Sequence, residues 1–544
     1  MKYLAIILLC TFSLRGQVDD TQTWDESEIR QSTFQHYLQN PIDINQAKAA
    51  DWYQLGLLNA KQIQSFVEFR NSSGPFLSKW ELQAIPDWDL PTLKRIQDFI
   101  SCQSPIEPWK MASSKHLWIH RWEFTAEEKK GFSPPDSRSK VRYFNSPYAE
   151  LHRYKGQISK SLGLGFLLQK DAGESSMTDF SSFYVHWNKP KSWIHKIIVG
   201  DFINQWGQGL VQAGGFSLGK SYESIISTQK FHQGGLPYSS SMESGFYRGL
   251  LIGFQRKQWG MESFLSKRNW DASIQRDSSD TEFYSSLITS GLHRTSTEID
   301  KINRVQEWSI GNSIFWHAKT NPITIQANVV WNRWSIPKRN ATKSYQASEW
   351  QGQELINTSI SANFPWKKAQ WMTEMAISSP NSWAFIQGAA WAQSKVNDFS
   401  YVIRYQSSSY FSPQAQAFGE NSEVRNELGL FLGNQYRWSK RSRLSSYLDL
   451  FLFPAPKYQV SQSKTWGWEA LSRYQLERRN QYNLFIQMKW TSKQEDAPKP
   501  FSDIIRKHQW QISGDFKKAI HRQWDWHSRL MVTYIHSPAQ KDWG

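Results

Sequence analysis

The chain has 544 residues with 29 Trp, 31 Phe and 21 Tyr, yet a mean hydropathy of −0.62 and a formal net charge of +16. Beyond its first residues no apolar run is long enough to cross a bilayer as a helix, which excludes a helical membrane protein. Such an aromatic but polar composition suits a wall of strands with aromatic belts at two interfaces, a polar inside and polar loops.

Met1-Lys2 and the apolar run Leu4 to Leu14 read as a signal peptide spanning residues 1–16, with cleavage near Gln17 after the small Gly16. Leu9 stands before Cys10 where a lipobox takes a small residue, so no lipid anchor is expected. Past the signal Cys102 is the sole cysteine, which excludes an intramolecular disulfide. Residues 17–41 form an acidic lead-in whose Trp24, Ile29, Phe34 and Leu38 hint at a helix.

Residues 42–101 carry four short helical patterns. Asn45 is placed to cap the first, which ends at the tight turn Gly56-Leu57-Leu58. Asn59 caps the second, with Ile63, Phe66, Val67 and Arg70 at helical spacing. Ser78 and Glu81 form a capping box for the third, and Pro86-Asp87-Trp88-Asp89 turns into a fourth from Leu90 to Ile100. Helix, hairpin, helix, occurring twice, resembles the tandem helix-hairpin-helix module of ComEA-type competence proteins, most specifically at Arg70, Gly74-Pro75-Phe76 and Leu82. That resemblance implies a small all-α domain whose hairpin backbone approaches a phosphate of DNA, here through Gly56, Leu57, Leu58, Asn59, Lys61, Lys94 and Arg95. Asp87 and Asp89 would place two carboxylates before that phosphate, and the module's formal charge is −1. Nonspecific DNA binding is mostly electrostatic, so docking a protein partner is the favoured reading over gripping DNA.

After a linker at residues 102–114, period-two alternation dominates residues 115–544. Ile325, Ala327, Val329 and Trp331 alternate with Gln326, Asn328 and Val330, and Leu444, Leu448, Leu450 and Leu452 with Ser445, Asp449 and Phe451. Leu484 to Trp490 and Trp524 to Tyr534 repeat the pattern. Strands of about 9–11 residues with one apolar face predict a large antiparallel transmembrane β-barrel of roughly 16–20 strands, in preference to a soluble sandwich or propeller. Pro365 to Lys368 and Glu477 to Asn480 read as short turns, and Thr295 to Val305 and Tyr410 to Glu423 as outer loops. The ending Ser537 to Gly544 lacks a terminal aromatic strand and raises the alternative that the barrel is truncated before its closing strands.

With the signal at +2, the lead-in at −4 and the module at −1, the barrel region carries the balance of +19. Lipopolysaccharide phosphates, an anion-favouring lumen or extracellular polyanions would each meet that charge. The segment Gly200 to Gly253 is rich in Gly and Ser, and Gly207, Gly209, Gly214, Gly215, Gly219 and Lys220 mark either a plug folded into the lumen or a flexible outer loop. Gly214 to Ser221 also satisfies G-x-x-x-x-G-K-[ST], but no buried strand precedes it and no βαβ pattern follows. The histidines are scattered, with no metal-ligand spacing, no G-x-S-x-G and no implied cofactor. His232 near Ser239 to Ser241 is the one arrangement an outer-membrane hydrolase could use.

The combination resembles Gram-negative outer-membrane proteins bearing an N-terminal ComEA-like domain. It implies a non-enzymatic binding, interaction or transport protein in the outer membrane, with the module in the periplasm. Expected partners are membrane lipid, lipopolysaccharide and a periplasmic protein. DNA uptake is the alternative, and a hydrolase the third.

Overall fold

The computed structural model describes residues 37, 41–47, 49–102, 115–129, 131–133, 143–159, 161–189, 192–214, 219–230, 232–318, 323–340, 343–367, 369–394, 396–478, 482–497, 504–521, 524–537 and 540–543. The signal, nearly all of the lead-in, most of the linker, and Gly215 lie outside these residues.

The N-terminal helices are α1 (Ala49–Leu55), α2 (Ala60–Ser73), a 3₁₀ turn at Lys79–Ala84 and α3 (Leu90–Ile96). Asn59 and Gln62 exchange hydrogen bonds as a capping box on α2, Ser78 and Glu81 do so on the 3₁₀ turn, and Asp89 caps α3 through Thr92 N–H. Asn45 does not cap α1. Its amide donates to Phe76 O at 2.9 Å and its carbonyl accepts from Phe76 N at 2.8 Å, closing the loop that contains Gly74. Ile42–Asp43 and Ile100–Ser101 pair in parallel and bring the ends of the module together. Trp52, Phe66, Phe76 and Trp88 interlock at centroid distances of 4.9–5.8 Å in a core of the module's own.

The described residues from 115 onward form one 23-stranded sheet that closes on itself. Strand Gln540–Trp543 neighbours Lys115–Phe124, and Ile194–Trp206 pairs with Tyr247–Arg256 across the other join. Consecutive wall strands pair antiparallel, from Lys115–Phe124 with Tyr148–Gln157 to Trp524–Ser537 with Gln540–Trp543. The excess over the expected strand number comes from Gln212–Ala213, Gly234–Pro237 and Glu282–Ile288, short pieces lacking the length of a spanning strand.

Burial is inverted relative to a soluble protein. Gln326, Asn328 and Asn332 are buried while Ile325 and Val329 are exposed, and Asp449 is buried between the exposed Leu448 and Leu450. An apolar outside and a polar inside define a barrel whose outer wall meets lipid. Exposed Trp193, Trp259, Trp366 and Trp438 ring the end with short turns, and Trp308, Trp383 and Trp466 the end with long loops. No helix among the described residues is long and apolar enough to cross a membrane.

Candidate functional site

The lumen is filled on one side by a segment of the chain itself. Strand Ile194–Trp206 parts from its neighbour Phe180–Asn188 at Gly200, whose φ is +101° and where a Cβ would sit 2.1 Å from Phe183 O, and stays paired with Tyr247–Arg256 as far as Phe202. Only glycine tolerates both conditions. The chain then doubles back inside the barrel. Trp206 Nε1 donates to Glu262 at 3.3 Å, and Lys196, on the outgoing leg, reaches the same carboxylate at 2.9 Å and Gly235 O at 3.0 Å. Phe202, Trp206, Leu210 and Val211 pack on Ala376, Ile386, Val402, Phe431 and Tyr447 from the wall.

The glycines of this segment sit where backbone meets wall. Gly207 (φ +58°) lies against the Glu374 carboxylate, which accepts from Gln208 N at 2.7 Å and Leu210 N at 3.1 Å. Gly209 (φ +89°) lies against Gln416, and its carbonyl accepts from Gln416 N at 3.0 Å. Gly214 and Gly219 complete the described glycines here, and Lys220 pairs with Glu420, Asp449 at 3.0 Å and Glu469 at 3.7 Å. The stretch read as an outer loop at Tyr410 to Glu423 turns inward instead. Tyr410 is fully buried with its hydroxyl on Leu210 O at 2.8 Å, because a polar loop can satisfy the inner segment's backbone groups where lipid cannot. His232 is buried against the Phe315 ring, 4.4 Å between centroids, and shows no hydrogen bond to a serine.

The helical module docks on the short-turn end. Lys61 donates to Ser394 O at 3.1 Å and pairs with Asp87 at 2.7 Å; Asn59 donates to Asp398 at 3.5 Å. Lys94 pairs with Glu477, and Lys440 donates to Gln83 O at 2.7 Å. Arg95 donates to Glu223 of the inner segment at 2.8 Å, and Arg443 of the wall donates to the same oxygen at 2.8 Å. Asp89 stands 3.7 Å from Arg443. Burial raises the Asp89 carboxyl, but Arg443 and the Thr92 hydrogen bonds outweigh it and hold it below the usual carboxylate range. Of the other expected hairpin contacts, Leu57, Leu58 and Trp88 turn into the module's core, Gly56 ends α1 at φ +68°, and Pro86 stays exposed. Glu223, Arg443, Asp398 and Glu477 were not singled out in the sequence. Their only signal there is a charge on the polar side of a strand or inside the Gly-rich segment.

The opposite side of the lumen is open. On Tyr482–Asp496, Ile504–His521 and Trp524–Ser537 the inner face carries Lys489, Lys493, Lys507, Lys517 and Arg529, all exposed or partly so. Lys493 and Lys507 are directly opposite in register, a repulsion relieved by Glu420 on one side and Glu495 at 3.3 Å on the other.

At the long-loop rim, Asp179, Glu243, Arg248, Arg268, Asp271 and His293 line a cavity of about 500 Å³. Glu174, Asp179 and His293 are close enough to share a cation. His293 places its two ring nitrogens on Asp179 and Asp271, each at 2.7 Å, an arrangement that favours the doubly protonated imidazole. Those two hydrogen bonds push its pKa up to about 10. Burial and the neighbouring carboxylates push Glu243 to about 9.

No protein-family model and no curated protein matches the sequence. Among solved structures, Pseudomonas aeruginosa OccK3 (OpdO) overlays with a TM-score of 0.35 at 9% identity, over 78% of this chain and 94% of that one. A BenF-like porin from Pseudomonas fluorescens Pf-5 gives 0.31 at 7%, over 78% and 97%. Acinetobacter baumannii OccAB2 gives 0.33 at 7%, over 72% and 92%. The barrel assignment stands on the chain's own closed sheet and inverted burial, independent of these likenesses.

Proposed function

We propose that this chain is a non-enzymatic outer-membrane conduit that passes or captures small hydrophilic solutes, with a preference for anions. The observation that carries the reading is the lopsided lumen. One half is packed by the inner segment, while the inner face of the last three long strands stays accessible and bears Lys489, Lys493, Lys507, Lys517 and Arg529, whose carboxylate partners include Glu420, Glu469, Glu495 and Asp515. A polar passage with low-dielectric walls focuses the field of such a strip onto passing ions.

Short turns mark the periplasmic end of such barrels, which supports a periplasmic module. The helix-hairpin-helix resemblance then describes a docking fold, and the barrel is the protein it docks on. Asn59, Lys61, Lys94 and Arg95, the groups a phosphate would need, are engaged by barrel and module residues. The outer wall keeps lipid and lipopolysaccharide as its partners.

Planar-bilayer recordings under a salt gradient test the reading. The purified chain is expected to conduct with a reversal potential on the anion side. Lys493→Glu with Lys507→Glu is expected to move that potential toward the cation side. Intact membranes with no conductance at any applied voltage would defeat it.

A further inference from the structure

Glu223 is the point where three parts of the chain meet. It belongs to the inner segment, between the strands ending at Trp206 and beginning at Gly234. One of its carboxylate oxygens accepts from Arg95 of the module and from Arg443 of the wall, each at 2.8 Å. Asp89 of the module approaches Arg443 from the other side at 3.7 Å. Arg443, Glu223 and Asp89 are 3–5% exposed, so water does little to screen the group. Next to Glu223, Ser224 Oγ donates to Asn434 O at 2.9 Å and Ser400 Oγ donates to Ser224 O at 2.7 Å. These bonds hold the tip of the segment against the wall at the module's end.

Without the module, Arg443 keeps Glu223 but loses Asp89, and Glu223 loses Arg95. With the module docked the group is complete and dry; undocking removes Arg95 and Asp89 and lets water compete for the Glu223–Arg443 pair that remains. In some proteins such buried ionic groups specify one arrangement over another. The glycines at 200, 207 and 209 and the ion pairs of Lys220 show that the segment is held by specific contacts along its path. Among the described residues its tip alone is held jointly with the module, which has a hydrophobic core of its own.

We propose that the helical module is the intramolecular latch of the inner segment: docked, it holds the segment in the lumen through the Arg95–Glu223–Arg443–Asp89 group, and undocked, it releases the segment's tip. The module is thereby assigned a partner of defined chemistry, a carboxylate presented by the barrel's own interior. The latch is a property of the fold and stands or falls separately from conduction.

The test uses the full chain in lipid, in a Cys102→Ser background with Ser227→Cys as reporter. Ser227 lies on the inner segment, 6% exposed, with a hydroxyl that makes no hydrogen bond. Its reaction with a charged maleimide is expected to be slow in the otherwise native chain. Arg95→Gln, a change confined to the module, is expected to speed labelling at least about tenfold, the mark of a local opening made easier. Glu223→Gln is expected to do the same, and Arg95→Lys to restore most of the protection. Heat-modifiable migration in gels confirms that each barrel is closed. Closed barrels in which both Gln variants label at the native rate overturn the latch and leave the conduit reading intact. Faster labelling in a chain that never conducts keeps the latch and defeats the conduit.

Discussion

Asp89 caps α3 with one carboxylate oxygen and turns the other toward Arg443, 3.7 Å away on the barrel wall, with both side chains 4% exposed. One side chain therefore ends a helix and joins two parts of the molecule. The two roles separate on substitution.

Asp89→Asn keeps an acceptor for Thr92 N–H and removes the charge. It is expected to loosen the module from the wall while leaving α3 intact. Asp89→Ala should also fray α3, at a cost of about 1 kcal/mol. Hydrogen exchange at Leu93 to Ile96, compared with exchange at Lys440 and Arg441, distinguishes the two. Because Asp89 is held below its ordinary pKa, its contribution is complete above about pH 4 and is lost as the pH falls through the lowered value. Acid should undock the module. Docking that persists unchanged on acidification until the barrel itself unfolds would contradict this account.

Gly200→Ala is expected to impair closure of the barrel. The new Cβ meets Phe183 O, and a positive φ in a non-glycine residue adds strain of about 1–3 kcal/mol. The folded fraction read from gel migration should fall. Gly514→Ala, on a wall strand where the nearest atom to a new Cβ is 3.9 Å away, serves as the tolerant control.

The lipid-facing and lumen-facing sides of one strand should respond oppositely to charge. Leu448→Arg, midway between the belts of Trp438 and Trp466, is expected to cost about 2–4 kcal/mol. Asp449→Leu costs through a different route, by leaving Arg404 and Lys220 short of a carboxylate. Urea titration in vesicles followed by tryptophan fluorescence measures the first. The second should be eased by pairing it with Arg404→Leu, as expected when an unpaired buried charge is the problem.

The long-loop rim is expected to weaken in alkali. His293, raised to about 10, contributes fully below its ordinary value of about 6.5, and that contribution is lost as the pH rises through 10. Glu243, raised to about 9, acts with the same sign, since its neutral form suits the fold and its ionised form does not. Protease cleavage within residues 289–304 should therefore be slowest below about pH 6, rise progressively with pH and level off above about 10. In His293→Ala it should already be fast at pH 6.

The wall was legible because a strand with one lipid face repeats every two residues. Ile325 to Trp331 and Leu444 to Leu452 fall inside the strands Thr324–Lys338 and Ser442–Phe453. Two of the helical stretches were legible through their caps, Asn59 and Ser78 with Glu81, whereas Asn45 misled because its side chain closes a loop to Phe76, and the helix read as running to Ile100 ends at Ile96. The glycines marked an unusual segment without saying whether it turned in or out. Backbone at φ > 0 serves either, and the choice depends on wall residues such as Glu374 that are distant in sequence. The docking face was hidden for the same reason. Arg95 meets Glu223 and Arg443 only after the barrel has closed, and no local pattern encodes that meeting.

The inner segment has one further consequence. From Glu223, held at the short-turn mouth, the chain runs back through Gly234–Pro237 to Glu243, whose carbonyl accepts from Arg268 beside the His293 cluster. Some twenty residues thus link the two faces of the barrel through its interior rather than through a wall strand. A nick between them would cut that link and leave every wall strand intact.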